Sequence, residues 1–215
     1  MPIAPLLLTR RALAALALTP AFIGAARAEA PKPESAVDMA KVLAAGPLTE
    51  LSIGEAAGVP VVEYGSLTCP HCAHFSKDVW PAFKAAFVDT GKVRYIFREY
   101  SRNNLDVGAF MLARCMGDDK TFPTIELLFA QQDKWANDKP LDGLTAALRP
   151  TGMTRDKLES CLKDQKTADA LTQIVKTADE TVKVSGTPTF VIDGKVYDGA
   201  LSLEDLTAIL KPILK

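Results

Sequence analysis

Cys69 and Cys72, separated by two residues in Cys69-Pro70-His71-Cys72, are the side chains of this chain best suited to redox chemistry. A thiolate attacks a disulfide, and a second thiol one helical turn away can resolve the mixed disulfide that results. The pair follows the apolar run Val61-Val62-Glu63-Tyr64 and the segment Gly65-Ser66-Leu67-Thr68, and it opens what reads as a helix, Ala73 to about Val88. A sulfur at a helix N-terminus meets unsatisfied backbone N–H groups and the positive end of the helix dipole, which favour thiolate over thiol. Cys69 is therefore expected to be the exposed nucleophile and Cys72 the more buried resolving thiol. His71 can lend the Cys69 thiolate a hydrogen bond or a positive charge, or face solvent as a spacer. Glu63 interrupts an apolar strand six residues before Cys69. Buried, it would have a raised pKa and could relay protons to Cys72; an edge-facing or salt-bridged side chain is the alternative. A permanent disulfide or zinc ligation competes with redox exchange, since Cys69, Cys72 and His74 have metal-like spacing. The chain has only two histidines and no second ligand pair at finger-like spacing, so no metal site is expected.

Such a pair needs a strand to present it and a sheet to hold that strand. A first strand is expected near Leu48–Ile53, then a Gly/Ala turn over Gly54–Gly58 and the strand Val61–Tyr64. Pro81 inside the cysteine helix removes a backbone hydrogen bond, which predicts a kink near Lys77–Pro81. Asp89-Thr90-Gly91 stops the helix, and Val93–Arg98 reads as the next strand. From about 103 to 182 apolar residues recur at three-and-four spacing, as in Ile125-Leu128-Phe129 and Leu158-Cys161-Leu162. Thr189–Ile192, the turn Asp193-Gly194 and Lys195–Tyr197 then predict a hairpin. Ser202 caps a last helix, Leu203 to Leu214. The order β-α-β, helical block, β-β-α fits a central mixed sheet flanked by helices.

Residues 1–28 read as a cleavable signal peptide: Arg10-Arg11, a small-residue apolar stretch from Ala12 to Ala25, and an Ala26-Arg27-Ala28 cleavage site. A retained anchor is the alternative, although the stretch is shorter than the ~20 residues that span a bilayer. Removing it takes three of the 25 basic residues and none of the 26 acidic ones, leaving a net charge of −4. No basic run survives, which argues against nucleic acid or an anionic membrane surface as partner. Residues 29–47, rich in Ala, Pro, Lys and Glu, read as a flexible leader with room for a short helix from Ser35, and residues 48–215 as one domain. Four cysteines in an exported chain of this size suit a redox function better than a disulfide-built miniprotein.

The Cys-Pro-His-Cys motif after the Glu63 strand, the helical insertion and the segment Gly186-Thr187-Pro188-Thr189-Phe190 before a hairpin together resemble the DsbA-like thiol-disulfide oxidoreductases. The resemblance runs from about Leu48 to the C-terminus and is to the branch with an additional cysteine pair in the inserted helices. It implies an α/β thioredoxin fold with an inserted helical subdomain, about 103–182. Cys69, Cys72, His71, Glu63 and Pro188 would then be catalytic, with Pro188 in a cis-proline loop beside the Cys69 sulfur. Pro70 and Thr187 would contact substrate, the Thr187 backbone pairing with an extended polypeptide. Threonine at 187 is also reminiscent of the disulfide isomerases. Cys115 and Cys161 are expected to form a structural disulfide, with two free buried cysteines as the rival.

The function these residues imply is a periplasmic dithiol oxidase that introduces disulfides into reduced exported polypeptides. No bound cofactor would be needed, and a DsbB-like membrane partner would reoxidise it. A monomer is expected, with a dimer left open. An isomerase or reductase of the same fold is the second reading. A copper-binding chaperone is the third, against which stand the single Cys-x-x-Cys and the lack of a Met-rich cluster.

Overall fold

The computed structural model of the chain describes Met1 and residues 30–214. Most of the expected signal peptide lies outside the described residues. Among them no helix is long and apolar enough to cross a membrane.

Six strands form one mixed sheet: β1 (Ser35–Ala36), β2 (Leu51–Ile53), β3 (Val59–Gly65), β4 (Val93–Glu99), β5 (Thr189–Ile192) and β6 (Lys195–Asp198). Their spatial order is β1-β6-β5-β3-β4-β2. β3 runs parallel to β4 and antiparallel to β5, which places it at the centre. Buried on both faces, it reads as a nearly continuous apolar run, and alternate residues serve two cores. Val61 joins Tyr95, Phe97 and Phe190 beneath the cysteine helix, whereas Val62 and Tyr64 join Ile96 and Val191 on the opposite face. The hairpin β5–β6 turns through Asp193 and Gly194, both at positive φ (50° and 72°) as a type I′ turn demands.

Among the described residues ten α-helices flank the sheet. α1 (Met39–Val42) precedes β2, and α2 (Pro70–His74) follows β3. The expected kink appears as a π-helical segment, Phe75–Val79, ahead of α3 (Trp80–Phe83), where Pro81 supplies no backbone donor. Between β4 and β5 lie α4 (Asn104–Arg114), α5 (Asp118–Ala130), α6 (Gln132–Trp135), α7 (Pro140–Leu148), α8 (Arg155–Cys161) and α9 (Gln165–Thr181). The chain closes with α10 (Leu203–Leu210), held by a reciprocal Ser202–Asp205 capping box.

The cysteine helix is pinned to the sheet by aromatic contact. Phe75 packs on Phe190 at a centroid distance of 4.9 Å, and Trp80 on Tyr95 at 4.3 Å. Both pairs are buried, and truncating such a ring to alanine costs about 3–5 kcal/mol.

Residues 29–47, expected as a flexible leader, carry secondary structure from Ser35 onward. The Glu34 N–H donates to the Val196 carbonyl and the Val37 N–H to the Gly194 carbonyl, each at 2.8 Å. The exposed edge of β6 thereby gains partners, and Val42 of α1 is buried against the sheet.

Candidate active site

Cys69 stands immediately before α2 as its N-cap, with an extended backbone (φ −86°, ψ 121°) and Pro70 at the first helical position. Proline there sacrifices no hydrogen bond, because that N–H has no partner inside the helix. The neighbouring N–H groups of His71 and Cys72 remain free and stabilise the Cys69 thiolate. The Cys69 pKa is held down to about 4, first by a hydrogen bond from the Cys72 thiol, with Thr187 and those two N–H groups adding to it against the opposing effect of burial. Cys72 moves the other way. Its complete burial pushes the thiol far above the ordinary cysteine range, and the charges of Cys69 and Glu63 push it further.

The two sulfurs thus differ in charge preference, but less in exposure than the sequence suggested. Cys69 is itself only 2% exposed, not the open nucleophile expected. The Thr187–Pro188 segment lies against it: the Cys69 thiol donates to the Thr187 carbonyl oxygen at 3.0 Å. The Thr187–Pro188 peptide is cis. The Thr187 hydroxyl is buried and without a partner among the described residues.

Glu63 is 1% exposed and faces the cysteine side of the sheet, so neither the edge-facing nor the salt-bridged alternative describes it. Its one side-chain hydrogen-bond partner among the described residues is the Tyr95 hydroxyl, which donates from β4 to Oε2 at 2.5 Å. Burial raises its pKa to about 8, the hydrogen bond from Tyr95 opposes the rise, and the Cys69 charge adds to it. Near neutral pH it is therefore a protonated acid beside Cys72.

His71 is exposed, and its imidazole makes no hydrogen bond or ion pair among the described residues. Its backbone N–H, rather than the ring, reaches the Cys69 thiolate. Pro70 is exposed beside it. His74 pairs with Asp78 at 2.7 Å on the surface. Cys115 and Cys161 form a disulfide between the end of α4 and α8, remote in sequence from the motif, with Cα atoms 5.9 Å apart. Among the described residues no group of three or more His, Cys, Asp or Glu side chains is gathered to hold a metal.

Two positioning residues escaped the sequence reading. Asp106, fully buried in the first turn of α4, accepts from the Ser66 hydroxyl (2.8 Å), the Thr68 N–H (2.7 Å), the Thr68 hydroxyl (3.0 Å) and the Arg102 N–H (2.9 Å). It ties the loop that delivers Cys69 to the helical insertion. Gln132, at the start of α6, donates through Nε2 to the carbonyls of Leu67 (2.7 Å) and Cys69 (3.0 Å). An Asp in a first helical turn reads as a dipole partner, and a Gln at a helix start as a surface residue. Neither type signals a contact across dozens of residues.

A family profile described as Thioredoxin matches residues 48–212. A Rickettsia bellii protein named "Putative protein-disulfide oxidoreductase" is 36% identical over 138 residues, 63% of this chain and 53% of that protein. A Bacillus cereus protein named "Probable disulfide bond formation protein D" is 26% identical over 155 residues, 69% of this chain and 72% of its own. The chain spans about half the length of the rickettsial relatives it matches. Among solved structures, Wolbachia pipientis alpha-DsbA1 superposes with a TM-score of 0.72 at 25% identity, covering 80% of this chain and 94% of that one. BdbD from Bacillus subtilis superposes at 0.67 with 18% identity, covering 86% and 98%, and shows the shared fold.

Proposed function

From a chain that belongs to the thioredoxin family, among its DsbA-like thiol-disulfide oxidoreductases, we propose a periplasmic oxidase that donates the Cys69–Cys72 disulfide to reduced exported polypeptides. The observation that carries this reading is the opposed preference of the two sulfurs, Cys69 for the thiolate and Cys72 for the thiol. Stabilising the reduced pair makes its disulfide the stronger oxidant, and about 1.4 kcal/mol of stabilisation corresponds to about 30 mV.

The steps follow from where each atom sits. A substrate thiolate attacks Cys69 Sγ, the Cys69–Cys72 bond breaks, and Cys72 leaves with the electron pair. Glu63, protonated below about pH 8, delivers a proton to the departing Cys72 sulfur, which strongly prefers to be a thiol. A second substrate thiolate then attacks the substrate sulfur of the mixed disulfide, and Cys69 departs as a thiolate held by backbone N–H groups. The substrate is oxidised by two electrons and the enzyme pair is reduced. Reoxidation falls to a DsbB-like membrane partner, and residues 1–28 are the proposed export signal.

The deciding measurement is the reduction potential of the Cys69–Cys72 pair against glutathione. A potential well above the glutathione poise is expected for a donor. One as low as thioredoxin's would make the protein a reductase and end the oxidase reading. Under the same reading Cys69→Ser abolishes exchange, and Cys72→Ser accumulates mixed disulfides that mass spectrometry detects at Cys69. Full dithiol oxidase activity in Cys72→Ser would reverse the assigned roles.

A further inference from the structure

On the sheet face away from the cysteines, Tyr64 of β3 and Arg98 of β4 stand side by side in register. A cavity of about 400 Å³ opens over them, roofed by α9 and closed by α1 and the loop that follows it. Its polar lining is Lys41, Tyr64, Arg98, Gln173, Thr177 and Thr181, and it has no carboxylate. Val42, Pro47, Ile174 and Ala178 form its apolar walls.

Arg98 is 8% exposed yet incompletely satisfied. Nη2 donates to Glu50 Oε2 at 2.8 Å and to the Val42 carbonyl at 3.5 Å. Nε is buried without a partner, and Nη1 makes no hydrogen bond among the described residues. The loop at Gly46 passes close to this nitrogen; a Cβ there would meet Nη1 at 3.5 Å, an ordinary contact. Glu50 does not neutralise the region by itself, because it also faces Arg94 at 4.0 Å, and Lys41 adds a further positive charge. A buried guanidinium with idle donors is costly unless something accepts from them. The Tyr64 hydroxyl makes no hydrogen bond among the described residues and remains a donor. Burial raises its pKa against the pull of Arg98.

We propose that this cavity binds a small amphiphilic oxyanion of the short-chain carboxylate class, its head group on Arg98 and Tyr64 and its chain between Ile174, Ala178 and Pro47. The charge selects the head, since Lys41, the Tyr64 hydroxyl and the idle donors of Arg98 line one end, while Glu50 engages Arg98 at Nη2 alone and is shared with Arg94. The apolar walls select the body. Nothing in this site takes part in the thiol chemistry, because Glu63 and Tyr64 project to opposite faces of the same strand.

Calorimetric titration of the full chain with hexanoate, hexanol and inorganic phosphate tests it. Hexanoate is expected to bind, with hexanol and phosphate at least tenfold weaker, since each lacks one half of the recognition. Tyr64→Phe keeps the ring packing and is expected to weaken hexanoate about tenfold through the lost hydrogen bond. Ile174→Trp fills the cavity and is expected to abolish binding while the melting transition stays cooperative. No binding of hexanoate, equal binding of hexanol, or an affinity unchanged in Tyr64→Phe overturns the proposal. Phosphate binding as tightly as hexanoate would show a bare oxyanion site and overturn the amphiphilic class.

Discussion

The thiol of Cys69 donates to the carbonyl oxygen of Thr187 at 3.0 Å, joining residues 118 positions apart. That contact suits a thiol and turns unfavourable when the sulfur ionises, because a thiolate has no proton to give a carbonyl. The hydroxyl of the same threonine is buried and unpartnered while Cys69 is protonated, and it can donate to the thiolate. One residue thus offers an acceptor to one protonation state of Cys69 and a donor to the other.

Thr187→Val keeps the shape and removes that donor. A hydrogen bond to a charged group is worth about 1.5 kcal/mol or more. The Cys69 pKa should therefore rise by about one unit, and the reduction potential should fall by roughly 30 mV. Thiolate absorbance against pH and a glutathione equilibrium read the two changes. A Cys69 pKa unchanged by the substitution would show that the Cys72 thiol and the backbone N–H groups hold the thiolate without Thr187.

Glu63 carries a pH dependence of defined sign. Its folded pKa lies near 8, above the ordinary 4.5, so the unfolded chain binds fewer protons between those values and burial of the carboxyl penalises the fold as pH rises. The penalty is absent below about 4.5 and complete above about 8. Glu63→Gln keeps an acceptor for Tyr95 and cannot ionise. It should match the native protein near pH 4 and exceed its stability at pH 9, by on the order of 3–5 kcal/mol at the limit. Urea denaturation at both values checks this. In disulfide donation, the native rate at fixed substrate thiolate should fall as pH passes 8, an inflection the variant lacks.

The Cys115–Cys161 disulfide closes a loop of 46 residues between α4 and α8. In the chain-entropy account such a closure contributes up to roughly 4 kcal/mol, by restricting the unfolded chain. The double substitution Cys115→Ala/Cys161→Ala should lower the urea midpoint accordingly, with Cys69–Cys72 held in one redox state during the comparison. A midpoint shift near zero would place the purpose of this bond outside stability.

Features set by local chemistry were legible in the sequence. Asp193-Gly194 forces a hairpin because both residues accept positive φ, and Pro81 disrupts its helix because it has no N–H. The cysteine pair announced itself by its place between a buried strand and a helix. Ser35–Ala36 did not, since both residues are exposed and pair only through their backbone, leaving no apolar alternation to read. The resemblance placed the Thr187–Pro188 loop beside the Cys69 sulfur, but not how closely that loop covers it, which depends on the packing of segments 118 positions apart. Side chains whose partners lie far along the chain carry no periodicity, and Asp106 is the plainest case.

Asp106 accepts four hydrogen bonds with no exposure to solvent, three of them from Ser66 and Thr68 in the loop ahead of Cys69. An amide of the same size offers one oxygen and replaces the other with a donor, which then faces the Thr68 N–H at the Oδ1 position or the Arg102 N–H at the Oδ2 position. Asp106→Asn should therefore cost about 2–4 kcal/mol, the range for unsatisfying a buried network that includes a charged acceptor. The loss should extend to chemistry. Freed from Asp106, the 66–68 loop no longer fixes the Ser66 N–H, which donates to Cys72 Sγ at 3.5 Å, or the helix start that holds the Cys69 thiolate. The Cys69 pKa should rise in Asp106→Asn even at temperatures where the variant is fully folded. A destabilised variant with an unaltered Cys69 pKa would confine Asp106 to holding the insertion against the sheet.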